Sequence, residues 1–444
     1  MTPLDKKGAA TPLRLLLAVA ALVAAAGTAA AGVIGRMTPA EPVTEARIAA
    51  LPVRERAAWT TYLARSRAAM AANKAALTAE RRAARDWPAA GPPHGSAASM
   101  PLDHAPDWYA GDAARRIADN IVSFQTPAGG WGKNQDRSGP PRRPGESLVP
   151  IERLPANARE DSRANDAGWR YVGTIDNGAT LTELRFLARV QHALPGSAGA
   201  GYRAAFERGV GYLLAAEFPG GGWPQVYPLQ GGYHDAITFN DGAVGDTALL
   251  LLEVGRGQGD FAFVPAALAA QAAQAAARAT ALIVATQVRV DGRPTLWGQQ
   301  HDALTRAPVG ARNFEPASLS TAESVDLIDY LMAQPERTPA ITAAVNDGVI
   351  WLRGHALADV AWGADGHGGR RLIASPGAPP LWARLYAIDT GQPVFGDRDR
   401  SIHDDVNELS LERRNGYSWF TTTPTKLFAR HARWFAGGAA PKGD

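Results

Sequence analysis

Residues 114–134, ARRIADNIVSFQTPAGGWGKN, join an apolar-periodic helix to a Gly-Gly-Trp loop, and this junction organises the chain. It returns as FERGVGYLLAAEFPGGGWPQ at residues 206–225 and, without the double glycine, as VNDGVIWLRGHALADVAWG at residues 345–363. Glycine past a helix end is expected to supply a left-handed cap. Further helical periodicity at residues 179–191, 244–254, 266–285 and 321–332 fills the intervals, with strand signal confined to pieces such as QVRVDG. Repeated helix pairs of this kind build a solenoid or a closed helical toroid. The expected domain is therefore mainly α with a few short strands.

Outward from that core, residues 42–86 are rich in Ala, Arg and Glu and read as a helical arm broken at Pro52. Residues 87–101, full of Pro, Gly and Ser, read as a linker. At the N-terminus, Lys6, Lys7 and Arg14 precede the apolar run LLLAVAALVAAAG and the small residues Ala29, Ala30 and Ala31, the layout of a signal peptide. The expected division is a leader at 1–31, arm and linker at 32–101, a catalytic toroid at 102–435 and a tail at 436–444. A periplasmic or extracellular location follows as the expectation, with no stable membrane association once the leader is cleaved and a monomeric mature chain.

The 444 residues are 46% apolar, enough for one large core, and include no cysteine, so neither a disulfide nor thiol chemistry is available. The net charge is +3, much of it in the leader, so any affinity for an acidic ligand has to come from local clusters. No basic stripe interleaved with aromatics suggests nucleic acid. No HExxH helix suggests zinc, and no glycine-rich loop within a βαβ unit suggests a nucleotide.

Two near-copies of an acidic amide turn, TIDNGAT (174–180) and TFNDGAV (238–244), precede helical runs. Asp176, Asn177 and Asp241 in them are oxygen ligands suited to a hard cation, or else helix N-caps. Downstream come Arg312 in VGARNFEPASLSTAES (309–324), Arg384 in WARLY and Arg398 in FGDRD. Arginines facing an Asp/Asn cluster suit an anionic sugar held between cationic side chains and a metal ion, although Arg384 and Arg398 also read as surface ion pairs. Trp131, Trp223, Tyr233, Tyr417 and Trp419 are sugar platforms or core residues. His301, His234 and Lys133 are the bases to consider if Arg312 only clamps a carboxylate.

In collinear order from about Trp108 to Phe420, GGWGKN, TIDNGAT, GGWPQVYP, GGYHDAITFNDGAV, TLWGQQHDALTRAPVGARNFEPASLSTAES, WARLYAIDTGQPVFGDRD and ERRNGYSWF together resemble polysaccharide lyase family 10. These are pectate lyases with an (α/α)3 toroid. The resemblance implies calcium-dependent β-elimination of polygalacturonate to 4,5-unsaturated products. It implies Arg312 as the base, Asp176 and Asn177 in the calcium and substrate pocket, and Asp241 as a second carboxylate beside Ca2+. Arg384 and Arg398 match uronate-gripping arginines, and Lys133 matches a substrate contact. The chain departs from the pattern at Gly132, where family members commonly carry proline. Two other readings remain open on the residues alone: a glycoside hydrolase using Asp176 and Asp241 with Glu323 in reserve, and a non-catalytic pectin-binding protein.

Overall fold

The structure, a computed structural model, describes residues 32–84, 86–88, 91–151 and 168–437. The leader at 1–31 and nearly all of the expected tail lie outside the described residues. The arm is a helix, α1 (Val53–Ala83), entered from Pro52 at φ −53° and ψ 139°, which places the break at the proline. Its Trp59 and Tyr62 pack on Phe218, and the Tyr62 hydroxyl donates to the Ala216 carbonyl at 3.0 Å. The arm is thereby part of the main core.

After α2 (Asp112–Ser123), three helical hairpins follow: α3 (Leu181–Ala193) with α4 (Ala200–Ala216), α5 (Ala243–Arg256) with α6 (Ala266–Thr286), and α7 (Thr321–Met332) with α8 (Pro339–Gly354). A last helix, α9 (Thr423–Phe435), packs on α7 and α8. The first helix of each hairpin is buried on most sides, as in α7, where Thr321, Glu323, Ser324, Val325, Leu327, Ile328, Tyr330, Leu331 and Met332 are all covered. The second helices bury one face each, so α3, α5 and α7 form an inner ring inside α4, α6 and α8. This is a mainly α toroid. Among the described residues one helix, α6, is long and apolar enough to cross a membrane, but its Ala272, Ala275, Ala276, Ala279, Leu282 and Ile283 face the core.

Tryptophan marks each repeat by a different device from the expected one. The Trp131 indole donates to the Ile121 carbonyl at 2.7 Å, Trp223 to Leu213 at 2.8 Å, Trp297 to Ile283 at 2.7 Å and Trp382 to Leu352 at 2.8 Å. Each acceptor lies in the last turn of the preceding helix, where the carbonyl oxygen has a lone pair for the indole, as Leu213 O has beside the N–H of Glu217. The anchor after α8 is Trp382. Trp362, which the sequence pattern suggests for that role, lies in a strand pair (Val360–Ala364 with Arg370–Ala374) and packs on Phe420.

The double glycines do not cap helices. α2 ends on Phe124 at φ −94°, and the glycines close a later turn in which Thr126 N–H donates to Gly130 O and Gly129 N–H to Thr126 O. Phe218, Gly221 and Gly222 repeat that turn after α4. Gly129, at φ +105°, lies so close to α4 that a Cβ would fall 2.5 Å from the Arg208 carbonyl. The glycine lets the loop dock on the next outer helix.

Because Trp223 is completely buried, Trp223→Ala is expected to cost about 3–5 kcal/mol in denaturant unfolding. Trp223→Phe is expected to recover most of the loss but to remove the indole bond to the Leu213 carbonyl, which keeps the N–H of Glu217. Equal stability of the phenylalanine variant and the parent would show that the indole bond contributes nothing.

Candidate active site

The two Asp/Asn turns are one local structure used twice. Asn177 adopts φ 52° and ψ 33°, Asp241 adopts φ 52° and ψ 32°, and Gly178 and Gly242 follow at φ 72° and 71°. Superposed this way, Asp176 corresponds to Asn240 and Asn177 to Asp241, so the acid and the amide have exchanged places between repeats. Asp176 and Asn240 are buried, whereas Asn177 and Asp241 reach solvent. The turns lead into α3 and α5 and contact each other.

Together they form one side of a cavity of about 250 Å³, whose other lining includes Lys133, Asn134, Tyr171, Gln225, Tyr233 and Gln300, with Arg312 and Glu315. Asn134, Tyr171, Asn177 and Asp241 all hold positive φ, between 52° and 57°. Backbone in this region costs energy in non-glycine residues and concentrates where side-chain placement matters.

The second residue after each anchoring tryptophan delivers a polar group to this region. Lys133 Nζ donates to Asp176 Oδ2 at 2.9 Å, and Gln225 Nε2 donates to Asp176 Oδ1 at 2.8 Å. Gln299 donates to Glu323 at 3.2 Å and to Asn240 at 3.3 Å. Arg384 Nη2 donates to Glu323 Oε1 at 2.7 Å. The indole bonds therefore set the height at which four side chains meet the N-terminal ends of the inner helices.

Asp176 is neutralised by Lys133, whose ammonium also lies 3.5 Å from the Tyr171 ring centre. Asp241 accepts no hydrogen bond among the described residues. Although Asp241 reaches solvent, partial desolvation of its carboxylate in the cavity, with repulsion from Asp176 and Glu323 added, raises its pKa despite Arg384 and Arg312.

Arg312 is gripped by Glu315: Nε donates to Oε2 at 2.8 Å and Nη2 to Oε1 at 2.5 Å. Nη1 has no partner among the described residues. Burial alone would lower the guanidinium pKa, but the charge and hydrogen bonds of Glu315 outweigh it and raise the value. For buried Glu315, desolvation is overcome by Arg312 and by the Tyr417 hydroxyl at 2.6 Å, which hold it below the usual carboxylate range.

Residues 125–428 match the model of the pectic acid lyase family. The chain belongs to that family. The protein is similar to a mutant of the family 10 polysaccharide lyase from Cellvibrio cellulosa solved in complex with trigalacturonic acid, at 30% identity and a TM-score of 0.61, over 77% of this chain and 99% of that one. A second structure of a family 10 polysaccharide lyase from Cellvibrio cellulosa matches at 30% identity and TM-score 0.61, over 76% of this chain and 97% of that one. Comparison with curated protein sequences finds no match. The protein is thus an enzyme, a pectate lyase.

Of the residues singled out in the lyase sequence, Lys133, Asp176, Asn177, Tyr233, Asp241 and Arg312 share the cavity. Arg384 stands beside it, bound to Glu323 and stacked 4.8 Å from the Tyr417 ring centre. Arg398 does not line the cavity: it is paired with Glu412 through bonds of 2.8 and 3.0 Å and lies over Phe314, the ring that Arg312 also covers. Trp131 and Trp223 are corrected: both are 0% exposed, and their rings cannot stack on a sugar.

His301 and His234 are also removed as bases. Gly298 N–H donates to His301 Nε2, which leaves Nδ1–H for the Arg306 carbonyl, and burial pushes this ring down to about 4. His234, equally buried, is held between Gly231 O and the Tyr171 hydroxyl. Sequence reading missed Glu315, Gln225 and Gln300, and it weighed Tyr417 only as a sugar platform or core residue, not as the partner of Glu315. The three-residue spacing of Glu315 from Arg312 was visible, but only the loop geometry turns it into a fork-to-fork pair.

Proposed function

We propose that this pectate lyase is an exported enzyme that cleaves polygalacturonate by calcium-assisted β-elimination, with Arg312 as the base. The observation that carries the reading is Arg312 Nη1, without a hydrogen-bond partner among the described residues, at the wall of a cavity that also holds Asp241, whose carboxylate accepts no hydrogen bond among them. Export is read from the leader at 1–31.

The residues present fit a calcium ion. The Asp241 carboxylate, the Asn177 carboxamide and the buried, unpartnered Oε1 atoms of Gln225 and Gln300 are hard oxygen donors lining one space. Among the described residues no group of three acidic or histidine side chains could hold a metal, so substrate carboxylates and water have to complete the shell. When bound, the ion supplies positive charge to the substrate carboxylate as the adjacent C5 proton leaves.

Arg312 Nη1 takes the C5 proton, the C5–H electron pair forms the C4=C5 bond, and the C4–O bond breaks, its oxygen being protonated by water. Glu315 fixes the plane of the guanidinium so that Nη1 presents one direction. Lys133, Asn177, Tyr233, Arg384 and Arg398 bind the uronate units, Lys133 also keeping Asp176 in place. Arg312 has to be neutral to act, which favours alkaline pH.

Removing the Glu315 charge lowers the Arg312 pKa, because that charge raises it. Glu315→Gln is therefore expected to move the acidic limb of the rate profile to lower pH, while looser orientation lowers the maximal rate by about tenfold. A limb that stays in place would sink the base assignment.

The reading as a whole is tested by incubating the enzyme with polygalacturonate and following the ultraviolet absorbance of the unsaturated product. Absorbance is expected to rise with calcium and to stop with a chelator. Turnover that is indifferent to chelation would exclude the calcium role, and new reducing ends without absorbance would exclude elimination.

A further inference from the structure

Residues 33–48 precede the 125–428 span that matches the family, yet they run alongside the loops of the active site and contact those loops repeatedly. Val33–Arg36 pairs antiparallel with Ser401–His403, and Met37 N–H donates to the Arg400 carbonyl at 2.8 Å, two residues from Arg398. Met37 and Thr38 then close on Gly310, where a Cβ would fall 3.0 Å from Thr38 O and 3.1 Å from Met37 Cε, two residues before Arg312. Val43 N–H donates to Asp235 Oδ2 at 3.3 Å, two residues after Tyr233. Arg47 Nη2 donates to Asp302 Oδ2 at 2.6 Å, two residues after Gln300.

Four of these contacts, at Arg400, Gly310, Asp235 and Asp302, thus fall two residues from Arg398, Arg312, Tyr233 and Gln300. The loops concerned belong to different repeats: Asp235 lies between α4 and α5, Asp302 and Gly310 between α6 and α7, and Arg400 after α8. The loops also pair with one another, Ile237–Thr238 with Gln300–His301, Gln300–His301 with Pro308–Val309, and Asn313 with Arg398 and Arg400, and residues 33–48 add contacts along the whole series.

We propose that residues 33–48 are a positioning strap that holds the loops bearing Tyr233, Gln300, Arg312 and Arg398 in register. None of the strap residues named touches the cavity itself, so the strap acts through its neighbours. Arg47 is its best-defined fastening: Asp302 already accepts from Leu304 N–H and Thr305 N–H, and Arg47 adds the tie to the strap. Arg47 also donates to the carbonyls of Glu41 and Pro42, which curls the strap around its own side chain. Met37, 5% exposed, supplies the apolar contact against Gly310. An ångström-scale displacement of a reacting group lowers a rate by one to two orders of magnitude, so loosening the strap shows in turnover before it shows in folding.

The inference rests on Arg312 being the base, and the test separates the two. In the full chain, Arg47→Ala, Arg47→Lys and Met37→Ala are compared with the parent and with Arg312→Ala for kcat, KM and thermal melting on an oligogalacturonate with calcium. Arg47→Ala and Met37→Ala are expected to lose about tenfold in kcat with a smaller change in KM and little change in melting temperature, and Arg47→Lys to recover part of the loss. Parental kcat in folded Arg47→Ala and Met37→Ala, alongside an inactive Arg312→Ala, would overturn the strap and leave the base standing. An active Arg312→Ala would overturn the base reading whatever the strap variants do. If Met37→Ala does not fold, the Arg47 pair decides alone, because a filler of structure would not be rescued by lysine in kcat.

Discussion

Arg312→Ala lowers kcat on polygalacturonate by about 10³-fold, the scale of a lost general base. The histidines that sequence offers as substitutes are both buried in hydrogen bonds, and Lys133 is paired with Asp176. Truncation also strands Glu315, which is 3% exposed and would keep the Tyr417 hydroxyl and the backbone N–H of residue 312. Some loss of stability is expected, so Arg312→Lys serves as the companion. It keeps a cation beside Glu315 but lacks the planar fork, and its kcat is expected to stay about 10²-fold below the parent. A folded variant of either kind within tenfold of the parent would remove Arg312 from the chemistry and leave it a carboxylate clamp.

Asp241→Asn is expected to lower kcat/KM on the order of 10²-fold at fixed calcium and to raise the calcium needed for half-maximal rate. The chain contains its own control for the fold, since the twin turn already carries Asn177 at the same left-handed position. Asparagine tolerates that conformation, so backbone strain cannot account for the loss. Electrostatics predict the opposite sign for the metal-free protein. The Asp241 carboxylate is disfavoured by desolvation and by Asp176 and Glu323, so neutralising it is expected to raise the melting temperature in chelator. It should also abolish the further rise that calcium gives the parent. A calcium-dependent melting shift that survives Asp241→Asn would place the ion elsewhere.

Helix periodicity carried the toroid, and the break at Pro52 and the arm were legible from local propensity. The anchors were harder to read. Trp131 and Trp223 stand beside polar motifs, which makes a sugar platform plausible, and only the carbonyl at the end of α2 or α4 shows that the indole is consumed internally. Trp297 and Trp382 lack the double glycine, since a short strand pair, Arg289–Val290 with Arg293–Pro294, brings the chain from α6 to Trp297. Asp176, Asp241 and Arg312 could be named because their chemistry is unusual in sequence. Glu315 and Arg398 show the limit: the partner of each arginine depends on a loop path, and Glu412 lies 14 residues from Arg398.

The exchange of acid and amide between the twin turns occurs where α3 and α5 begin, and Glu323 occupies the first turn of α7 beside them. Three inner helices therefore direct their amino ends at one cleft. Unpaired backbone N–H groups give each end a partial positive charge, about half an elementary charge in the idealised helix. The cleft thus carries an attraction for a polyanion that appears in no count of lysines and arginines, which is how a chain of net charge +3 can favour polyuronate. Being built from peptide dipoles, that field does not titrate, and it persists at the alkaline pH where a guanidine can act as a base.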